Sequence, residues 1–385
     1  MARRLAVLTT GRQDWGILRS TCIALRDDPH FQLNLMAGGM HCSSRFGRTV
    51  QLIEEEGFTA CETLAWISNE AEQSADRQTA RALEMVTDAL NRAAPEAVIL
   101  VGDRFESVAA AVAATLQRIP IIHLHGGEET EGAIDNAFRH AITKMSHLHL
   151  VSHPAHADRV IQMGEVSSNV HVVGAPGLDN LHREDLAGRA ELEEFLGLEM
   201  RTPIVMVTLH PTTLGIDPTV EASAVADAMD KVEATYVLTL PNSDPGNDQI
   251  RRRLSYAAQK GGRVAIDALG ERLYWGLMKI SDAMLGNSSS ALIEAPAAGL
   301  PAVNVGDRQA GRVRGVNVID SPPVASAIAQ ALRLALRPEF RSAARAAPSP
   351  FGDGRSAERI LEVLRNWTPP KPPIKRWVGT KTCQH

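Results

Sequence analysis

The chain has 385 residues, is 44% hydrophobic and 22% charged, and carries a formal net charge of −5. That length suggests two or more domains, and the composition is that of an ordinary soluble protein. The charge excludes a broad basic field for nucleic acid. No apolar run approaches the ~18 residues of a membrane span, so neither nucleic acid nor a membrane is an expected partner. The four cysteines, Cys22, Cys42, Cys61 and Cys383, show neither CxxC spacing nor disulfide-scaffold density, so a reduced cytoplasm is the expected setting. The Met-Ala-Arg-Arg start runs straight into a strand pattern, and no cleavable signal peptide is expected.

The first half alternates short apolar runs with helical patterns. Strands are expected at Leu5–Thr9, Gln32–Ala37, Ala97–Val101, Pro120–Leu124, His147–Val151 and His171–Val173. Helices are expected at Gly16–Asp27, Phe46–Glu56, Asp76–Ala94, Glu106–Arg118 and Ile134–Ser146. In the last of these, Ile134, Phe138, Ile142 and Met145 share a face, and Asp135 and Arg139 lie one turn apart on another. A charged helix follows at Glu184–Leu196. A second strand set reads Ile204–Leu209, Thr235–Leu240, Val264–Ile266, Ala283–Leu285 and Ala302–Val305. Such alternation implies βαβ units and parallel sheets. The expected architecture is α/β: an N-terminal Rossmann-like domain over 1–176, a C-terminal one over 203–353, and a central cleft. Residues 354–385 are read as a helix, Ala357–Trp367, and a proline-rich basic tail that favours extended backbone.

In open α/β sheets ligands bind beyond the carboxyl ends of strands. Two strand ends between Val101 and Lys144 are dense in proton-transfer groups. The first delivers Asp103, Arg104 and Glu106. The second delivers His125, Glu128 and Glu129, followed by Asp135, Arg139 and His140. Arg12 and His41 lie at two further strand-end turns, and Gly11 permits close backbone approach to a phosphate. The bland reading of Asp14 is a helix cap. A dense histidine group runs from His123 to His156, but no HExxH and no Cys/His zinc spacing occurs, so no metal site is expected.

In the second half Gly286-Asn287-Ser288-Ser289-Ser290 links a short strand to a helix pattern beginning at Ala291, with Glu294 one turn in. Free backbone N–H groups and serine hydroxyls at a helix start suit a diphosphate, while Glu294 suits ribose hydroxyls. Plain N-capping by serine explains the same residues. Arg308 and Arg312 in Gly306–Arg312 suit anionic oxygens, or form a solvated basic turn. His210 follows a strand in Leu209-His210-Pro211-Thr212-Thr213, and Asn242 follows the next. Neither a Walker A motif nor a GxGxxG fingerprint is present, which argues against ordinary ATP or NAD use and for no cofactor.

In combination, TGRQDWGIL, GDRFES, IPIIHLHGGEETEGAIDNAFRHAITKMSHLH, GAPGLDNL, HPTT, GNSSSALIEAP and NVGDRQAGR resemble the UDP-N-acetylglucosamine 2-epimerases, and within them the hydrolysing branch. The resemblance runs from about Leu5 to Arg314. It implies a GT-B-like fold, a nucleotide-sugar substrate and a homodimer or homotetramer. It also implies elimination of UDP across C1–C2, then addition of water to the glycal. UDP-GlcNAc giving ManNAc and UDP is the first expectation, in sialic-acid-type sugar synthesis. UDP-2,4-diacetamido-2,4,6-trideoxyglucose or a GDP-linked analogue is the second.

The resemblance makes Asp103 and Asp135 the acid/base groups. It has Arg104 tune Asp103 or hold the sugar, and His210 assist UDP departure. Arg12, Ser288, Ser289, Ser290 and Glu294 match nucleotide-holding positions, and Arg308 and Arg312 fall in the family's RQxGR element. His41, Arg139, His140 and Asn242 complete the substrate-binding set. Many members carry a glutamate, a proposed base, where this chain has His125; here His125 or Glu128 takes that role. Asn136 stands where an acidic residue often follows Asp135. A non-hydrolysing epimerase, a GT-B glycosyltransferase and a silent nucleotide-sugar sensor are the competing readings.

Overall fold

The structure, a computed structural model, describes residues 2–58, 62–68, 74–130, 134–211, 217–241, 247–267 and 269–378. Its contacts divide the chain into two units. The first holds 1–128, 134–179 and 354–385; the second holds 129–133 and 180–353.

The first unit contains seven strands: β1 (Arg3–Thr9), β2 (Phe31–Gly38), β3 (Glu62–Leu64), β4 (Ala97–Val101), β5 (Ile121–Leu124), β6 (Leu148–Val151) and β7 (Val170–Val172). They form one parallel sheet in the order β3-β2-β1-β4-β5-β6-β7. β4 reads AVILV and is buried throughout. Ala97, Ile99 and Val101 join one core layer and Val98 and Leu100 the other, as the two-residue period of a strand covered on both faces requires. The order reverses between β1 and β4, so the loops after those two strands flank a topological switch point.

The second unit contains β8 (Ile204–Thr208), β9 (Thr235–Thr239), β10 (Arg263–Ile266), β11 (Ala283–Gly286), β12 (Ala302–Val305) and β13 (Val318–Ser321). Its parallel order is β10-β9-β8-β11-β12-β13, which puts the switch point between β8 and β11. At that point the two strands come very close. A Cβ on Gly286 would lie 1.9 Å from the Thr208 carbonyl oxygen, and its φ of +140° suits only glycine.

Several expectations change. The segment from Gly354 is not a separate appendage. The helix Ser356–Asn366 buries Ile360 and Leu364 in the same core as Trp15, Leu18 and Cys22. The Asp179 carboxylate accepts from Ser356 N and Ala357 N, at 2.8 and 2.8 Å, and so satisfies two donors at that helix start. The tail beyond it folds back, with Lys375 bonded to Glu165 and to the Ser146 carbonyl. The helix expected from Glu184 begins only at Arg189. The helix expected from Phe46 begins at Val50, after two 3-10 turns. Ile142 is buried as expected, but Ile134 is 69% exposed at the end of its helix.

Candidate functional site

In the first unit titratable side chains gather at the strand ends that flank the switch point. Asp14, in the helix that follows β1, is buried and accepts from Thr10 N at 3.0 Å and from the Thr10 hydroxyl. Burial pushes its carboxyl up to about 6, against the pull of the Arg104 charge. Arg104, after β4, gives its fork to Glu106, with Nη2–Oε1 at 2.8 Å and Nε–Oε2 at 3.1 Å. Glu106 is fully buried. Asp103 is therefore ion-paired not with its neighbour Arg104 but with Arg139, from the helix Asp135–Met145. The Arg139 side chain is 1% exposed and that of Asp103 28%. Arg139 Nη1 also donates to the Glu128 carbonyl at 3.0 Å and to Asn136 Oδ1 at 2.6 Å. That last bond gives Asn136 a part that an amide oxygen fills without adding charge.

The end of β5 carries the strained residue. His125 has φ +63°, a left-handed conformation that costs a non-glycine residue about 1–3 kcal/mol and persists where its surroundings impose it. Its Nδ1 lies 2.6 Å from Glu128 Oε1. The same oxygen accepts from Ser152 Oγ at 2.9 Å, and Ser152 Oγ is 3.0 Å from His156 Nδ1. The other ring nitrogen of His125, Nε2, is buried with no hydrogen-bond partner among the described residues. His123, two residues earlier, is a satisfied interior histidine. Its Nε2 meets the Gly102 carbonyl at 2.9 Å and its Nδ1 the Thr143 hydroxyl at 3.2 Å. Burial lowers its pKa to about 3. Asp135 opens its helix half-buried, and His140 lies half-buried further along it.

His41 is buried with both ring nitrogens engaged, Nε2 with Thr9 Oγ1 at 2.9 Å and Nδ1 with Thr49 Oγ1 at 2.8 Å. Burial lowers it to about 4, so a neutral ring braces the ends of β1 and β2. Arg12 donates to the Phe46 carbonyl at 3.1 Å.

In the second unit Asn287, after β11, is fully buried and organises the switch point. Its amide bonds the main chain of His210 twice, with His210 N to Oδ1 at 2.8 Å and Nδ2 to His210 O at 2.9 Å. Nδ2 also donates to Glu221 Oε2 at 2.9 Å. The Asn287 carbonyl receives Arg308 Nη1 at 3.2 Å and Gln309 Nε2 at 2.8 Å. Burial raises the Glu221 carboxyl, opposed by Asn287 donation and by Arg308.

The serine run does cap, as its bland reading supposed: Ser288 Oγ accepts from Ser290 N at 3.3 Å. The helix pattern expected from Ala291 is broken into a 3-10 turn, Ser289–Ala291, and a short helix, Glu294–Ala297. Pro296 has no N–H to return to the carbonyl four residues back, so no long helix dipole builds up here. The polar donors at this strand end are therefore serine hydroxyls, local N–H groups and the arginines. Arg312 donates to Thr130 Oγ1 at 2.8 Å, while its buried Nε finds no partner among the described residues. Asn242, Thr212 and Thr213 lie outside the described residues.

Sequence reasoning passed over Tyr274, Glu221, Gln309, Ser152 and the pairing role of Asn287. Tyr274 bonds the hydroxyls of Ser290 and Thr208 and lies near Glu294. Burial, and then that carboxylate, hold its phenol above the ordinary range. No motif marks these residues; only the fold brings them to the strand ends.

Two parallel α/β sheets, each with a polar cluster at its switch point, make a GT-B-like fold. The model of the UDP-N-acetylglucosamine 2-epimerase family matches residues 23–365, and the chain belongs to that family. Over 323 residues it is 34% identical to the GDP/UDP-N,N'-diacetylbacillosamine 2-epimerase (hydrolyzing) of Campylobacter jejuni, covering 83% of this chain and 84% of that one. It is 33% identical to the UDP-N,N'-diacetylbacillosamine 2-epimerase (hydrolyzing) of Legionella pneumophila, covering 95% and 96%. In fold it is similar to the crystal structure of UDP-GlcNAc 2-epimerase from Neisseria meningitidis bound to UDP-GlcNAc. There the TM-score is 0.81 at 18% identity, over 94% of this chain and all of that one. Family membership makes the chain a 2-epimerase of nucleotide sugars. Among the described residues no helix is long and apolar enough to cross a membrane.

Proposed function

We propose that this chain is a hydrolysing 2-epimerase that converts a nucleotide-linked 2-acetamido sugar into nucleoside diphosphate and the free 2-epimer. The observation that carries the reading is the pairing of Asp103 with buried Arg139, beside the His125–Glu128 pair. It collects proton-transfer groups at one strand-end cluster. A base removes the C2 proton as the C1–O bond breaks. The C2–H electrons form the C1–C2 double bond, and the diphosphate leaves with the C1–O pair. Water then adds to the glycal, its hydroxyl to C1 and a proton to C2 on the opposite face. A non-carbonyl C–H is a reluctant acid, and enzymes remove about 8–23 kcal/mol from such barriers. A positioned acid or base supplies only ~10²–10⁴-fold of that, so the departing charge needs strong electrostatic help.

In this reading Asp103, Asp135 and the His125–Glu128 pair serve proton transfer, with Arg104 and His140 near the sugar. His210 aids departure of the diphosphate, held with Arg12, Ser288, Ser289, Ser290, Arg308 and Arg312, while Glu294 meets the ribose. The relatives at 33–34% identity are named for N,N'-diacetylbacillosamine. We therefore place the UDP-linked 2,4-diacetamido-2,4,6-trideoxy sugar first and UDP-GlcNAc second, the latter favoured by the family as a whole. Mass spectrometry of products from both, and from the GDP-linked analogue, tests this. Release of free diphosphate with a free 2-epimer is expected. Intact nucleotide-linked 2-epimer would replace it with the non-hydrolysing reading, and turnover only with an acceptor would replace it with the glycosyltransferase reading.

A further inference from the structure

Behind His125 a buried chain of hydrogen bonds runs through Glu128 to Ser152 and His156. Ser152 Oγ donates to Glu128 Oε1, so its lone pair receives the proton on His156 Nδ1; Glu128 Oε1 receives in turn the proton on His125 Nδ1. The bonds are 3.0, 2.9 and 2.6 Å long, and all four side chains are buried. Such a chain polarises along its length and fixes one tautomer at its end. The tautomer fixed here has its proton on Nδ1, which leaves a lone pair on Nε2, the buried atom with no partner among the described residues.

The backbone is pinned as well. Gly127 approaches so closely that a Cβ there would lie 2.3 Å from the His156 carbonyl oxygen, and Arg159 donates to the Gly127 carbonyl. The left-handed backbone of His125 and the solvent-free lone pair of its Nε2 are two independent departures at one residue, which is where an active site stores strain.

We propose that Ser152 and His156 are positioning residues that lock Glu128 onto Nδ1 of His125, so that Nε2 is the atom that takes the C2 proton. This rests on the epimerase reading. The imidazolium formed hands its proton to solvent once water has added, and Glu128 stays ionised throughout, as an orienting carboxylate does. The charged and titratable groups that face the pair are His123 on β5, Arg139 on its helix, and His153, His156 and Arg159 on the helix Pro154–Gln162. Burial lowers His156 to about 4, so it stays a neutral donor at working pH.

The test uses the full chain with nitrogen-15-labelled histidine, the His125 signals being those lost in His125→Gln. In the wild type the ring carries its proton on Nδ1. Ser152→Ala and His156→Asn each move part of the population to the Nε2–H tautomer. They lower kcat about 10-fold or more, within the ~10²–10⁴ that a positioned base contributes, while KM stays within about 2-fold. Ser152→Thr, which keeps the hydroxyl, restores both if Ser152→Ala folds poorly. An unchanged tautomer in a variant of wild-type melting temperature overturns the proposal, and so does a loss confined to KM. If the wild type releases no diphosphate from any sugar tested, the epimerase reading fails, and the tautomer alone decides the positioning claim.

Discussion

The side-chain amide of Asn287 closes two hydrogen bonds on the main chain of His210, at 2.8 and 2.9 Å, and so ties the strand ends of β11 and β8 together. His210 is set at a fixed height above the second sheet by a residue 77 positions away. Asn287→Ala leaves His210 N, His210 O and a buried Glu221 oxygen without this partner. Each buried polar group left unmade costs about 1–3 kcal/mol. A clear fall in melting temperature is expected, with turnover lost in the fraction that remains folded. Wild-type kcat in a folded Asn287→Ala protein would remove the pairing from the account.

Asp103 and Arg139 give a cleaner separation of fold from chemistry. Asp103→Asn keeps an oxygen for the Arg139 fork but removes the charge and the base. Its melting temperature should stay within a few degrees of wild type, while kcat falls by ~10²-fold or more. An unchanged kcat excludes Asp103 as an essential group. Arg139→Leu should be far worse for folding, because it removes a buried fork that bonds the Glu128 carbonyl, Asn136 and Asp103 together.

The positive φ of His125 can be read by substitution. Both His125→Gly and His125→Ala remove the imidazole, so both should lose turnover. Only alanine keeps the left-handed penalty, so the glycine variant should be the more stable by about 1 kcal/mol. Denaturant unfolding of the two proteins checks this. An alanine variant as stable as the glycine one would mean that no strain is stored there.

Acid should weaken the first unit through its buried histidines. His41, His123 and His156 have pKa values lowered to about 4, 3 and 4 by burial. The unfolded chain takes up protons at these groups near pH 6.5, and the folded chain does not. Protons therefore favour the unfolded state, and stability is lost as pH falls from about 6.5 towards 4. Asp14, raised to about 6, works the other way over part of that range, because its folded form binds a proton first. His147, His149, His153 and His171 are lowered by burial as well, so the histidines outweigh Asp14 and the melting temperature should drop between pH 6.5 and 4.5. A flat profile there contradicts the buried neutral rings, and His156→Asn should flatten it in part.

The two-sheet plan was legible because β1, β4, β8 and β12 are continuous apolar runs ended by polar turns, a signal that survives any tertiary context. β3, with three residues, is too short to show a period, and β13 reads VIDS, with too little apolar contrast. The polar loop after β11 follows a strand end as the apolar pattern predicts, but the long helix expected after it does not form, since Pro296 breaks the bonding without disturbing the apolar pattern. The partners were the hidden part. Asp103 meets Arg139 across 36 residues, and Ser152 meets Glu128 across 24. Arg104 is the nearer cation to Asp103 along the chain, yet Glu106 takes its fork. Spacing along the chain carries no record of such choices; sheet order does.

The central claim is elimination at C1–C2 followed by hydration, and isotopes test it directly. Turnover is run once in deuterated water and once in oxygen-18 water, with the nucleotide sugar that gives the highest rate. The account predicts one deuterium at C2 of the released sugar and no oxygen-18 in the nucleoside diphosphate, because C1–O is the bond that breaks. Retention of the original C2 hydrogen, or oxygen-18 in the diphosphate, would contradict it.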